Sequence, residues 1–118
     1  MLGLIVLRAS DAARTRRFYE ALGLQFAAEQ HEQGVLHYAC EIGGLVLEIY
    51  PGRKAAPPEA DAAGATMLGL RVGDVDRAHA AAVELGAKSR RPPVDAPSGR
   101  RAVVEDFDGR VIELTLGP

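Results

Sequence analysis

The sequence predicts an α+β fold: two βαβββ modules in tandem, their mixed sheets curling around a shared cavity, one helix per module on the outside. Three observations carry that expectation. A shift of 63 positions lays Leu7, Arg8, Asp11, Arg14, Leu22 and Gly23 on Leu70, Arg71, Asp74, Arg77, Leu85 and Gly86. Strand residues, helix cap and helix stop coincide together, which marks a duplication. A shift of 65 lays Gly44, Val46 and Glu48 on Gly109, Val111 and Glu113, so each half carries a mid-strand carboxylate among aliphatic residues. Finally, 118 residues suffice for one compact domain and not for two independent ones. Units this small cannot each bury a good core, so they are expected to pack side by side. The expected organisation is a single domain over 1–118, with module 1 over about 1–50, a linker over 51–65 and module 2 over about 66–118.

In chain order, Leu2 to Arg8 is almost unbroken aliphatic, which predicts a strand buried on both faces. Asp11 is placed to cap a helix over Ala12 to Leu22, with Ala13, Phe18 and Leu22 as its apolar stripe and Arg14, Arg16 and Arg17 in solvent. Gly23 stops it, because glycine takes the left-handed cap conformation without a Cβ clash. Strands are expected at Leu24 to Ala28, Val35 to Ile42 and Leu45 to Tyr50, separated by a polar turn over 30–34 and by Gly43-Gly44. Pro51 to Ala65, with three prolines among small and charged residues, reads as the linker. The pattern then restarts. A strand runs from Thr66 to Val72, Asp74 caps a helix over Val75 to Leu85 with Val75, Ala78, Ala82 and Leu85 on one face, and Gly86 ends it. Ala87 to Arg90 reads as a short strand and Arg91 to Gly99, with Pro92, Pro93 and Pro97, as a long turn. Arg100 to Asp106 and Arg110 to Leu116 close as a hairpin about Asp108-Gly109.

The bulk chemistry excludes several classes of function. A net charge of −2 offers no basic surface for nucleic acid or an anionic membrane. With 5% aromatic residues and no Trp, base-stacking platforms are not expected. No apolar run approaches the roughly 20 residues of a membrane-spanning helix. The start of the chain reads as a strand and not as a signal peptide. Cys40 is the only cysteine, so neither an intrachain disulfide nor a paired-cysteine metal site is available, and a cytoplasmic setting is expected. Gly43-Gly44 and Asp108-Gly109 are turn chemistry and not phosphate loops, since no helix follows them.

Two segments carry a family resemblance: Ser10-Asp11 through Arg17-Phe18-Tyr19-Glu20-Ala21-Leu22-Gly23-Leu24, and Glu105-Asp106-Phe107-Asp108-Gly109-Arg110-Val111-Ile112-Glu113-Leu114. On an internal repeat and at this spacing, they resemble the vicinal oxygen chelate superfamily of glyoxalases, bleomycin-resistance proteins and extradiol dioxygenases, over essentially the whole chain. The resemblance implies a cavity lined in the metal enzymes by four ligands: a His or Gln from the first strand of each half and a Glu from the last. The last-strand positions fall on Glu48 and Glu113. The first-strand positions, seven residues before each capping aspartate, fall on Leu4 and Met67. Leucine ligates nothing and a thioether suits soft ions only. The expectation is therefore a chain without the family's metal and without another cofactor; a divalent metal completed by water or His37 is the alternative.

Strand alternation fills in the rest of the expected site. Leu4, Val6 and Arg8 go together, as do Val46, Glu48 and Tyr50, then Met67, Gly69 and Arg71, and Val111, Glu113 and Thr115. Leu45, Leu47, Ile49, Leu68, Leu70, Ile112 and Leu114 should pack against the helices. Two buried carboxylates without a metal repel one another, and burial disfavours both charges. Three resolutions are open: pairing with Arg8 and Arg71, a proton shared for acid–base catalysis by Glu48 and Glu113, or a cationic or hydrogen-bond-donating ligand. His37 shares parity with Glu41, and either the cavity or the helices remain open to it. Tyr50 serves either a ligand or rim packing. His31 and His79 read as surface, Cys40 and Tyr38 as core, and the pairs Arg90-Arg91 and Arg100-Arg101 as solvated charge. The expected function is binding of a small molecule through Leu4, Arg8, His37, Tyr50, Met67 and Arg71, by a chain that pairs into a homodimer along its aliphatic N-terminal edge. The alternatives are a metal-dependent glyoxalase-type lyase or isomerase, a dioxygenase, and metal-free acid–base catalysis.

Overall fold

Each repeat folds as strand, helix and three further strands. The computed structural model describes residues 1–52 and 66–118. In chain order the elements are β1 (Leu4–Arg8), α1 (Ala12–Ala21), β2 (Ala27–Glu29), β3 (His37–Ile42), β4 (Leu45–Tyr50), β5 (Met67–Val72), α2 (Val75–Glu84), β6 (Lys88–Ala96), β7 (Gly99–Glu105) and β8 (Val111–Leu116). They make two sheets of the same topology, β1-β4-β3-β2 and β5-β8-β7-β6. In each, the first strand pairs parallel with the last, and the remaining pairs are antiparallel. The linker expected over 51–65 lies, but for Pro51 and Gly52, outside the described residues.

The duplicated caps do the same work in both halves. Asp11 and Asp74 each accept the backbone N–H three residues on, from Arg14 and Arg77, at 3.0 Å. At the other ends, the Gly23 N–H donates to the Glu20 carbonyl and the Leu24 N–H to the Tyr19 carbonyl; Gly86 and Ala87 repeat this with Val83 and Ala82. That double bond pattern needs positive φ at the glycine, and φ is +106° at Gly23 and +98° at Gly86. A Cβ at Gly23 would meet open space, whereas one at Gly86 would lie 2.9 Å from Arg14 Nη2. Alanine at either position is expected to cost about 1–2 kcal/mol in denaturant unfolding from the backbone alone. Gly86→Ala should also displace Arg14, whose guanidinium lies 3.6 Å from the centre of the Phe107 ring.

The aliphatic faces pack as expected: Leu47, Ile49, Ile112 and Leu114 are buried, and Phe18, Leu22, Val75, Ala78 and Ala82 meet them from the helices. Four details depart from the sequence reading. Ala13 and Leu85 are exposed, and Thr15 and Tyr19 complete the buried side of α1. β2 begins only at Ala27, because Leu24 is already committed to the cap of α1. β1 is buried on one face only: Leu4 is 52% exposed, because the second face of its sheet is open. The stretch taken for a long turn, 91–99, instead belongs mostly to β6, a nine-residue strand through Pro92 and Pro93. Proline is tolerated there because β6 is an edge strand with two register shifts, between Ser89 and Arg91 and between Arg91 and Val94.

Besides the apolar core they share, the modules are tied by the β7–β8 turn, docked against the end of β1 and α1. The Asp106 carboxylate accepts the Tyr19 hydroxyl at 2.7 Å, Arg110 Nη1 at 3.0 Å, and the backbone N–H groups of Asp108 and Arg110 at 2.9 and 3.0 Å. The Asp108 carboxylate accepts the Ser10 N–H at 3.1 Å, and Arg110 Nη2 donates to the Arg8 carbonyl. Phe107 completes an edge-to-face stack with Phe18, which in turn packs edge-on against Tyr19. The Asp-Phe-Asp-Gly-Arg and Phe-Tyr motifs are therefore two halves of one inter-module tie. Between them the sheets leave a hollow of about 390 Å³, lined by Ile5, Leu45 and Leu47 of module 1 and Leu68, Leu70 and Arg71 of module 2.

Candidate functional site

The ladder registers decide which side chains share a face. Val6 lies beside Glu48 on β4, and Glu48 beside Ala39 on β3. Glu29 on β2 lies beside His37. Leu4, Val6, Arg8, Glu48, Tyr50, His37 and Glu29 therefore point the same way, opposite to the side that packs on α1. In the second sheet Gly69 lies beside Glu113 and Glu113 beside Val103, while Arg71 lies beside Thr115 and Thr115 beside Arg101. Met67, Arg71, Arg101 and Glu113 thus share the face turned away from α2.

On the first face, His37 is the organising residue. Its side chain is only 2% exposed. The ring lies 4.2 Å from that of Tyr50 and within 8° of parallel, and the Arg8 guanidinium sits over the Tyr50 ring, 5.3 Å from its centre. Nδ1 lies 3.0 Å from the Val35 carbonyl. A carbonyl only accepts, so Nδ1 carries a proton, and Nε2 is the ring atom left to face the carboxylates. That atom lies 3.3 Å from Glu48 Oε2 and 3.8 Å from Glu29 Oε2 and has no hydrogen-bond partner. The arrangement suits accepting a proton, or a cation, between the imidazole and the carboxylates.

On the second face, Glu113 is held by Arg101 at 2.7 Å, both being about 28–29% exposed. Buried Glu105 lies between Lys88 at 3.7 Å and Arg90 at 3.8 Å. The pairing of the two acids with Arg8 and Arg71 does not occur: Arg8 lies over Tyr50, Arg71 packs against Gly117, and His37 and Arg101 take their places. The arginine pairs read as solvated charge are engaged in part. Arg100 bridges Asp76 and Asp95, and its hydrogen bonds hold the Asp76 carboxyl below its ordinary range.

The structure thus brings Arg8, His37, Glu48 and Tyr50 into one contacting group, with Leu4 beside them in the sheet. Met67, 58% exposed, shares a face with Glu113 and Arg71. Among the described residues no hydrogen bond, ion pair or ring contact joins the two groups, and neither Glu48 nor Glu113 lines the hollow between the sheets. Cys40 is buried and free, and Tyr38 is half-buried beneath the Arg16 guanidinium, as expected for core residues. The sequence reading missed Glu29 and Arg101 as partners of the site. Both were accessible only through strand register.

The family's four-ligand metal does not fit this donor set. Leu4 has no donor atom, Met67 offers a thioether on an exposed strand position, and Glu113 is already paired with a guanidinium.

Residues 2–114 match the family model described as the Glyoxalase/Bleomycin resistance protein/Dioxygenase superfamily. The chain belongs to that superfamily. Among curated proteins, none matches this superfamily member. Solved structures that share its fold include hypothetical protein SA1046 from S. aureus (17% identity, covering 99% of this chain and 93% of that one, TM-score 0.77). They also include the fosfomycin resistance protein FosX from Mesorhizobium loti (23%, 100% and 92%, 0.71) and a glyoxalase family protein from Enterococcus faecalis (26%, 98% and 96%, 0.66). Among the described residues no helix is long and apolar enough to cross a membrane.

Proposed function

We propose that this superfamily member binds a small amphipathic molecule on the faces that carry Glu48 and Glu113, without the family's metal. The observation that supports this is the exposure of Leu4, Val6 and Met67 beside polar groups of the same faces, Glu48 at 3.3 Å from His37 Nε2 and Glu113 held by Arg101. Exposed aliphatic surface next to a few fixed polar groups is the composition of a small-molecule site. Arg8, Tyr50 and Arg71 stand at the ends of the same strands and supply charge and a flat ring. A homodimer in which a second copy covers the open face of β1 accounts for strand residues as apolar as Leu4 and Val6 lying in solvent. The buried free Cys40 fits a cytoplasmic setting.

Isothermal titration of the full chain with small aromatic, cationic and phosphonate compounds tests the reading. Binding should survive a chelator and weaken in Leu4→Asp and Glu48→Gln variants. Binding that requires an added divalent ion and vanishes in Glu113→Gln would overturn it.

A second reading is favoured by the 3.3 Å separation of His37 Nε2 and Glu48 Oε2: metal-free acid–base catalysis with Glu48, backed by His37, moving a proton on the bound molecule. For any compound found to be turned over, a Glu48→Gln variant that keeps the wild-type rate removes this reading.

A further inference from the structure

We propose that module 1 holds a divalent transition-metal ion of the zinc, cobalt or nickel type between His37, Glu29 and His31, at positions unrelated to Leu4, Met67 and Glu113. One ligand atom from each of the three lies within 4.8 Å of those of the other two. His37 Nε2 and His31 Nε2 each stand 3.8 Å from Glu29 Oε2. Bonds of about 2.0–2.1 Å in a tetrahedral site put ligand atoms roughly 3.3 Å apart, so closure on an ion asks each imidazole to approach Glu29 by about half an ångström and the two imidazoles to approach one another by at most about 1.5 Å.

The cluster is more than adjacent polar groups. His37 is buried, its Nε2 lacks any hydrogen-bond partner, and that lone pair is aimed at two carboxylates, Glu29 and Glu48. Two carboxylates converging on one unpartnered imidazole nitrogen are complementary to a cation that the nitrogen can ligate. The Val35 carbonyl on Nδ1 fixes the tautomer that leaves Nε2 free to ligate, and the Tyr50 ring stacked beneath fixes the plane. Arg8, a cation of the same sheet face, is held over the Tyr50 ring. Two imidazoles with a carboxylate form a borderline donor set, which selects zinc-like ions over magnesium or calcium. Glu48, 3.3 Å from His37 Nε2, is placed as a fourth ligand or as a neighbouring charge. His31, exposed in the turn before β3, is free to swing onto the ion, and its ring is already 5.6 Å from that of His37.

The inference does not rest on the ligand-binding reading, because its test uses the metal alone. Cobalt(II) and zinc are titrated into the purified full chain, followed by the cobalt absorption band and by thermal shift. One equivalent per chain is expected. Glu29→Gln and His31→Ala alter residues outside the core, so they should fold normally. Each should weaken uptake by at least the roughly tenfold that even an outer-shell partner is worth. His37→Ala should abolish it, and Glu113→Gln should change nothing. The absence of saturable uptake overturns the proposal. So does uptake that Glu113→Gln removes while Glu29→Gln and His31→Ala leave it intact.

Discussion

Replacing Asp106 with alanine is expected to cost about 3–5 kcal/mol in denaturant unfolding at neutral pH, the range found when one member of a buried ion pair is removed. Its carboxylate accepts four hydrogen bonds from three residues in both modules. Its removal leaves the Arg110 guanidinium, the Tyr19 hydroxyl and two N–H groups without their acceptor, in a place where water reaches poorly. Asparagine restores the shape but not the chemistry, since its amide nitrogen would face the donors of Tyr19 or Arg110; Asp106→Asn should recover only part of the loss. Arg101→Ala provides the contrast. That pair with Glu113 is over a quarter exposed, so its loss should cost below about 1 kcal/mol. Equal losses in Asp106→Ala and Arg101→Ala would show that the tie between the modules is not where the strength lies.

The fold was legible because its signals are local and duplicated. Asp11 with Gly23, and Asp74 with Gly86, bracket both helices, and each cap forms the bonds its residue type implies. More of the site was legible than parity alone suggests. If Gly43-Gly44 is a two-residue turn, Ile42 lies opposite Leu45, and counting back puts Ala39 opposite Glu48. His37, two residues before Ala39, must then share the face of Glu48. Glu29 and His31 could not be placed this way, because the connection from β2 to β3 is irregular and passes through Glu32 at φ +51°. The prolines of β6 misled for a related reason. Whether a strand lies at an edge is a property of the assembled sheet, and no local pattern states it. The Tyr19–Asp106 bond spans 87 positions; the sequence marks both ends as motif without saying that they meet.

The two modules, alike in backbone, have diverged where their open faces carry chemistry. Glu48 and Glu113 occupy equivalent strand positions, yet one faces a buried imidazole and the other a partly exposed guanidinium. The first carboxylate stands beside an imidazole, and the second beside a permanent cation. The proposed proton transfer and cation binding are therefore both readings of module 1. Module 2 offers a fixed ion pair suited to orienting a ligand.

Raising the pH above about 10 should unfold the wild-type chain earlier than a Tyr19→Phe variant relative to their stabilities at neutral pH, and the gap should widen with each pH unit. Burial foremost, and then the Asp106 carboxylate at 2.7 Å, raise the Tyr19 hydroxyl well above its ordinary ionisation range. The folded value is raised, so the contribution of Tyr19 is fully present below the unfolded-chain value near 10 and is lost as pH climbs through the window above it. There the unfolded chain releases a proton that the folded chain retains, and stability falls by about 1.4 kcal/mol per pH unit. Phenylalanine has no proton to release. Tyr19→Phe should therefore lose about 1–3 kcal/mol at pH 7, from the missing bond to Asp106, and shed this part of the alkaline slope. Urea titrations of both chains at neutral pH and at successive values above 10 give the comparison directly. Parallel declines in the two proteins would mean that the buried hydroxyl does not govern alkaline unfolding.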